Sequence, residues 1–263
     1  NAPTKAPTMT PTSMQSKDGE YKSPHKVKDI QSLAGKKYRD ETGLFIMEGP
    51  KLVQEIIEQY PQQVHELFAL ESWKHPALPA SLSGKLTTIT EQELARISQL
   101  TTPNQVVAVV KQFQYPSIQL KGKLTVVCCD IQDPGNFGTI IRTADWFGVS
   151  QLVCSMDTVD QYNPKVVQAA MGSLGRVAIT YQVLKSWLPL QTDVPVYAAV
   201  LNKEPIKINE TIQEGILLVG NESKGIPQEL LTESVIQFSI PGKGQAESLN
   251  VAVATGILLA KFS

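Results

Sequence analysis

The sequence predicts an α/β protein in which a mostly parallel C-terminal sheet is preceded by a smaller α/β domain. Three observations carry this. Beyond residue 123, strand-like segments that are apolar throughout alternate with helical ones, the pattern of a parallel sheet covered on both faces. Residues 24–111 hold shorter strands among amphipathic helices. Between them "QFQYPSIQLKGK" (112–123) has a proline, a glycine and little periodicity, and reads as the linker.

Residues 1–23 are rich in Pro, Thr, Ser and Lys without an apolar stretch, so a disordered arm is expected there. "HKVKDIQSLAGKKYRDE" has helical spacing on a basic background, and "GLFIMEG" follows as a short buried strand. "PKLVQEIIEQY" is a helix with Pro50 in its first turn, where the missing N–H is harmless. "HELFAL" and "QVVAVVK" are strands. The helix between them, "TEQELARISQL", opens with Thr90 and Glu93 at capping-box spacing. Past the linker come strand "LTVVCCDI", helix "NFGTIIRTADWFG", strand "QLVCSM", helix "PKVVQAAMGSL", strands "VYAAV", "ILLVG" and "VIQFSI", and a final helix.

Composition narrows the function classes. Lys and Arg total 24 against 25 Asp and Glu, so no global positive field announces a partner. Lys26, Lys28, Lys36, Lys37 and Arg39 form either a phosphate-binding stripe or an ordinary solvated face. Cys128, Cys129 and Cys154 lie in apolar segments without C-x-x-C spacing, as reduced thiols of a cytoplasmic protein would. His25, His65 and His75 are scattered, so no metal site is expected. The longest apolar run is about half of the roughly 20 residues a bilayer requires, so no membrane span is expected.

In parallel sheets ligands bind at the carboxyl ends of strands, and three loops there carry unusual polarity. In "DIQDPGNFGTIIRTADWFGV", Asn136 is a candidate helix cap and Gly148 a candidate terminator. Gly138 stands one turn before Arg142 and would leave open space beside its guanidinium. In "ILLVGNESKGIPQEL", Gly220, Asn221, Glu222 and Gly225 follow a strand directly, which lets backbone groups approach a ligand. In "IPGKGQAESLNVAVATGILLA", Ser248, Leu249 and Asn250 introduce a helix that needs only one cap. The first loop alone also admits a dinucleotide-binding reading, with Asp157 about 20 residues on, although "GNFG" lacks the G-x-G-x-x-G spacing.

Taken together the loops resemble the three motifs of the SpoU/TrmH family of RNA ribose 2'-O-methyltransferases, within the SPOUT class: "NFGTIIR", "GNESKG" and "IPGKGQAESLNVAVA", in order across 124–263. The resemblance implies a deep trefoil knot, S-adenosylmethionine as cofactor, an RNA substrate (ribosomal or transfer RNA) and a homodimer through the knotted domain. It also implies that residues 24–111 are an RNA substrate-binding domain similar to small ribosomal proteins. Here Asn104-Gln105 stands before the closing strand, where relatives usually show Gln-Gly.

Carried over by position, the resemblance places Ala199, Val200, Gly220, Asn221, Ile240, Pro241, Gly242 and Leu249 around the cofactor, and Arg142, Asn136, Glu222, Ser248 and Asn250 at the reacting centre. Arg142 would hold the ribose oxygen and an adjacent phosphate through its fork of donors, with the other four orienting it. The alternatives are a Rossmann-type oxidoreductase and a catalytically silent RNA-binding relative, separated by whether the chain binds NAD or S-adenosylmethionine and whether it transfers methyl groups.

Overall fold

The computed structural model describes residues 24–75, 77–205 and 211–263; the expected N-terminal arm lies outside the described residues. The elements run α1 (Pro24–Ser32), α2 (Lys36–Thr42), β1 (Leu44–Glu48), α3 (Pro50–Gln59), β2 (Val64–Ala69), α4 (Ala80–Ser83), β3 (Leu86–Thr88), α5 (Glu91–Ile97) and β4 (Val106–Lys111). They continue with β5 (Leu124–Cys129), α6 (Pro134–Trp146), β6 (Gln151–Ser155), α7 (Pro164–Ala170), β7 (Ala178–Gln182), α8 (Leu184–Trp187), β8 (Val196–Ala199), β9 (Gly215–Gly220), β10 (Val235–Phe238) and α9 (Val251–Phe262).

The first four strands form a sheet in the order β1-β4-β2-β3, antiparallel except for the short edge pair β2 and β3. Here the basic segment expected as one helix breaks at Leu33–Gly35 into α1 and α2. The break has a partner across the molecule: Arg39 is 2% exposed, donates to the carbonyls of Leu33 and Ala34 at 2.9 and 2.7 Å, and pairs with Asp160 at 2.8 Å. The phosphate-binding stripe therefore does not form. Lys26 pairs with Glu66 and Lys36 with Asp40, each at 2.5 Å, which leaves a largely neutralised face.

The second sheet has six strands, β10-β8-β9-β5-β6-β7, and every neighbouring pair is parallel. Alternate residues enter two cores, which explains the unbroken apolar runs. Val126 and Cys128 pack with Phe137, Val166 and Leu258 on one face; Val127 and Cys129 pack with Leu184, Leu188 and Leu230 on the other. β7 was not anticipated, because its alternation is weak: only Ile179 is fully buried along this edge strand.

The first of these cores continues into the N-terminal sheet, with the Phe45 ring 4.5 Å from that of Tyr162. Residues 112–123 contain no strand or helix but are tied down, with Phe113 N–H donating to the Tyr162 hydroxyl at 2.9 Å and the Tyr115 hydroxyl donating to Leu174 O at 2.7 Å.

Candidate functional site

β5 sits where the strand order reverses: the chain leaves it toward β6 and β7, then returns to build β8, β9 and β10 on its other side. Such switch points open a crevice at the carboxyl ends of the strands. The loops after β5, β9 and β10 meet there.

The first loop starts from a backbone that ordinary residues avoid. Asp130 has φ +54°, and its conformation is held by Ser155, whose hydroxyl accepts from Asp130 N–H at 2.8 Å and donates to its carboxylate at 2.7 Å. Helix α6 then begins two residues earlier than expected. Asp133, not Asn136, is its cap, accepting the Asn136 N–H at 2.7 Å, with Pro134 as first helical residue. An Asp immediately before Pro-Gly is a legible start signal, and it releases the Asn136 side chain.

That side chain joins the three loops. Asn136 Nδ2 donates to Glu222 Oε1 at 2.7 Å, and Asn136 Oδ1 accepts from Asn250 Nδ2 at 2.8 Å. Asn250 Oδ1 in turn accepts the N–H groups of Ala252 and Val253 at 2.9 and 3.2 Å, capping α9. The polarity of this chain is forced at both ends. A carboxylate only accepts and a helix N-terminus only donates, so both amides have one allowed orientation. The surplus polarity ahead of α9 is thus explained: Asn250 caps the helix and reaches the site with its other end.

The second loop folds back on its own strand. Asn221 N–H donates to Gly225 O at 3.1 Å and Gly225 N–H to Asn221 O at 2.9 Å, with Gly225 at φ +68°. A β-carbon on Gly220 would lie 2.4 Å from the Gly225 carbonyl carbon, so the absence of a side chain here lets the loop fold back on its strand. The Asn221 amide is likewise committed, donating to Asp130 O at 2.7 Å and accepting from Ser223 and Lys224 N–H at 2.9 and 3.0 Å.

Two expected members stand apart. Arg142 is exposed on α6 and has no hydrogen-bond or ion-pair partner among the described residues; Asn136, Glu222, Ser248 and Asn250 do not bond it. Nor does Gly138 leave room beside it. A β-carbon there would meet Ala169 Cβ at 2.5 Å and Val166 O at 2.7 Å, so the glycine exists to seat α7 against α6. Ser248 is exposed and likewise unbonded among the described residues.

The third loop fits a ligand held by main-chain groups. Residues 241–249 are exposed, and their backbone groups make no hydrogen bond among the described residues. They run past the ends of adjacent strands β10, β8 and β9, where half-buried Ile240, Ala199 and Val200 and 48%-exposed Leu249 offer apolar surface. Free amides and carbonyls beside apolar side chains suit a compact polar molecule with an aromatic base, which is what S-adenosylmethionine is.

Comparison with known proteins identifies the family. The sequence profile of the SpoU rRNA Methylase family matches residues 123–260, and that of the MRM3-like substrate binding domain matches residues 24–108. The chain is 34% identical over 240 residues to 23S rRNA (guanosine(2553)-2'-O)-methyltransferase RlmP of Bacillus subtilis, covering 89% of this chain and 94% of that protein. It superposes on the AdoMet-bound rRNA methyltransferase of Sinorhizobium meliloti with a TM-score of 0.79 and 31% identity, over 93% of this chain and 96% of that one. The SpoU methyltransferase AviRb of Streptomyces viridochromogenes, 24% identical, shares the fold with a TM-score of 0.74 over 90% of this chain and 96% of its own. The dinucleotide-binding alternative falls with these matches, and Asp157 lies in an exposed turn. With a methylase profile spanning more than half of its length and a one-third-identical relative covering nearly all of it, the chain belongs to the SpoU rRNA methylase family.

Proposed function

We propose that this protein methylates a ribose 2'-hydroxyl of RNA, ribosomal RNA being the substrate class, with S-adenosylmethionine as donor. The observation that carries this is the Glu222–Asn136–Asn250 chain, which fixes three loops of a methylase fold around one crevice. When bound, the donor supplies an electrophilic methyl group on a sulfonium. Gly220, Ile240, Pro241, Gly242 and Leu249 would hold it, with Ala199 and Val200 at its far end and Asn221 pinning the loop beneath.

A ribose hydroxyl is a weak nucleophile, so the protein's task is to align it and favour the developing alkoxide. Arg142, whose donors are unengaged among the described residues, holds that oxygen and the neighbouring phosphate. A guanidinium does not act as base near neutrality, so the proton leaves through phosphate or water. Glu222 keeps one oxygen for the RNA while Asn136 orients the other, and Ser248 donates from the adjoining loop.

The same reading has the segment before α9 threading a trefoil knot, which the packing of α9 against α6 and the parallel strand order support. It also has two copies pairing through that face, where Trp146 and Val253 are 84% and 53% exposed, so that the site borrows from both subunits. The four-stranded module grips RNA in the manner of a small ribosomal protein, and the protein works in the cytoplasm. Incubating the full chain with labelled S-adenosylmethionine and 23S ribosomal RNA tests the central statement. Transfer to one ribose, mapped by resistance of the following phosphodiester to alkali, is expected; no transfer to ribosomal or transfer RNA overturns it.

A further inference from the structure

A cleft of about 610 Å³ opens between the two halves of the molecule, outside the crevice just described. From the N-terminal half it is lined by Gln31 and by Arg96, Ser98 and Gln99 at the end of α5; from the other half it is lined by Pro134 and Lys165, at the starts of α6 and α7. Its volume is that of a small-ligand pocket. Pro134 connects it to the reacting centre, being the first helical residue of α6 and two residues ahead of Asn136.

Gln31 and Ser98 spend their polar groups within the wall, Gln31 Nε2 on Arg96 O at 2.7 Å, but the Gln99 amide does not. Both amide atoms of Gln99, Nε2 and Oε1, are shielded from solvent and have no hydrogen-bond partner among the described residues. An amide buried with neither donor nor acceptor satisfied is costly, and native structures keep few of them without a use. The backbone explains why Gln99 stays: its N–H donates to Glu48 Oε1 at 2.6 Å, while the preceding Ser98 hydroxyl donates to Glu48 Oε2 at 2.6 Å. That anchoring fixes the main chain at the cleft wall, while the side-chain amide keeps both its donor and its acceptor unspent among the described residues. Arg96 and Lys165 are exposed and form no ion pair among the described residues, and no carboxylate lines the cleft.

An amide with a donor beside an acceptor, in a cleft also lined by two cations without ion pairs among the described residues, matches the edge of an unstacked base with its phosphates. We infer that this cleft is a base-reading subsite for a nucleotide flanking the methylated one, with Gln99 reading the base edge and Arg96 and Lys165 holding its phosphates. The inference rests on the proposed methylation of RNA and adds how the target's neighbours are chosen.

The test uses 23S ribosomal RNA transcripts in which nucleotides around the modified ribose are replaced one at a time. The full chain is expected to discriminate at one flanking position by about 10- to 100-fold in kcat/KM, the worth of a bidentate amide–base pair. Gln99→Leu, which removes the unpaired polar atoms without losing bulk, is expected to unfold at no lower temperature, to keep its affinity for S-adenosylmethionine, and to lose discrimination at that position alone. Replacing Arg96 and Lys165 together by Ala is expected to weaken binding to all the transcripts alike and to flatten its salt dependence by about one to two units on a log–log plot. An unchanged discrimination profile in Gln99→Leu, or an unchanged salt slope in the double variant, overturns the subsite while methylation stands. Absence of methyl transfer by the unaltered protein overturns methylation and the subsite together.

Discussion

Asn250 donates to Asn136 at 2.8 Å across 114 residues of chain, and this bond joins the cap of the last helix to the first turn of α6. Asn136 passes the same polarity to Glu222, so the three loops act as one unit. Asn136→Ala and Asn250→Ala are each expected to lower methyl transfer, the second also costing about 1 kcal/mol of stability through the lost cap. Together they should lose less than the sum, with a coupling of about 0.5–1.5 kcal/mol. A double-mutant cycle on kcat/KM measures this, and strict additivity would show that the loops are independent.

Arg142 stands on an exposed helix face with none of its donors engaged among the described residues. Arg142→Ala is expected to reduce methyl transfer at least about a hundredfold, the cost of one preorganised electrostatic contact, while calorimetry finds S-adenosylmethionine bound as before. Arg142→Lys should recover little, because a point charge cannot hold two oxygens in a fork. Turnover close to that of the unaltered protein would remove Arg142 from the reacting centre.

These residues also mark what the sequence made legible. Local chemistry was readable: Thr90 and Glu93 form the full capping box their spacing predicts, and the doubly apolar strands became a wholly parallel sheet. What depended on distant neighbours was not. Gly138 and Gly220 announce missing side chains, but only the fold shows that α7 and the 221–225 loop occupy the space. Arg39 lies in a run of exposed cations by pattern, yet it is buried against a partner 121 residues away. Asn136 looked like a cap because Asn is good at capping, while the true cap, Asp133, stood three residues ahead.

The Arg39–Asp160 pair ties the two halves together and is nearly dry, with side chains 3% and 13% exposed. Asp160 Oδ2 accepts from both Arg39 Nε at 3.2 Å and Nη2 at 2.8 Å. Asp160→Ala strands a buried guanidinium and is expected to destabilise the fold by about 3 kcal/mol, whereas Asp160→Asn keeps an acceptor and should cost less. Urea unfolding distinguishes the two; equal, small losses would mean that water reaches the guanidinium.

Glu48, at the end of β1, is 4% exposed, and burial raises its carboxyl above the ordinary 4.5 although the Ser98 and Gln99 donors oppose the shift. A carboxyl whose folded value exceeds its unfolded one contributes its full stability below the unfolded value. That contribution is lost as pH rises through the folded value. The unaltered protein should therefore lose stability relative to Glu48→Gln on going from acid to neutral pH. Parallel urea titrations read this, and a gain in the stability of the unaltered protein over Glu48→Gln as pH rises would contradict the sign.

Gln105 occupies the left-handed region at φ +58°, at a position where the family resemblance leads one to expect glycine. The turn is needed: Gln105 O accepts from Leu70 N–H at 2.9 Å, and Val106 then enters β4 fully buried. A side chain in this conformation costs roughly 1–2 kcal/mol, and glycine relieves it at an unfolded-state entropy cost of about 0.5–1 kcal/mol. Gln105→Gly is thus expected to stabilise the protein by about 0.5–1 kcal/mol in urea unfolding. The backbone path is already the one glycine prefers, so the gain should come without any change in methyl transfer. Destabilisation would mean that the Gln105 side chain contributes contacts worth more than the strain it imposes.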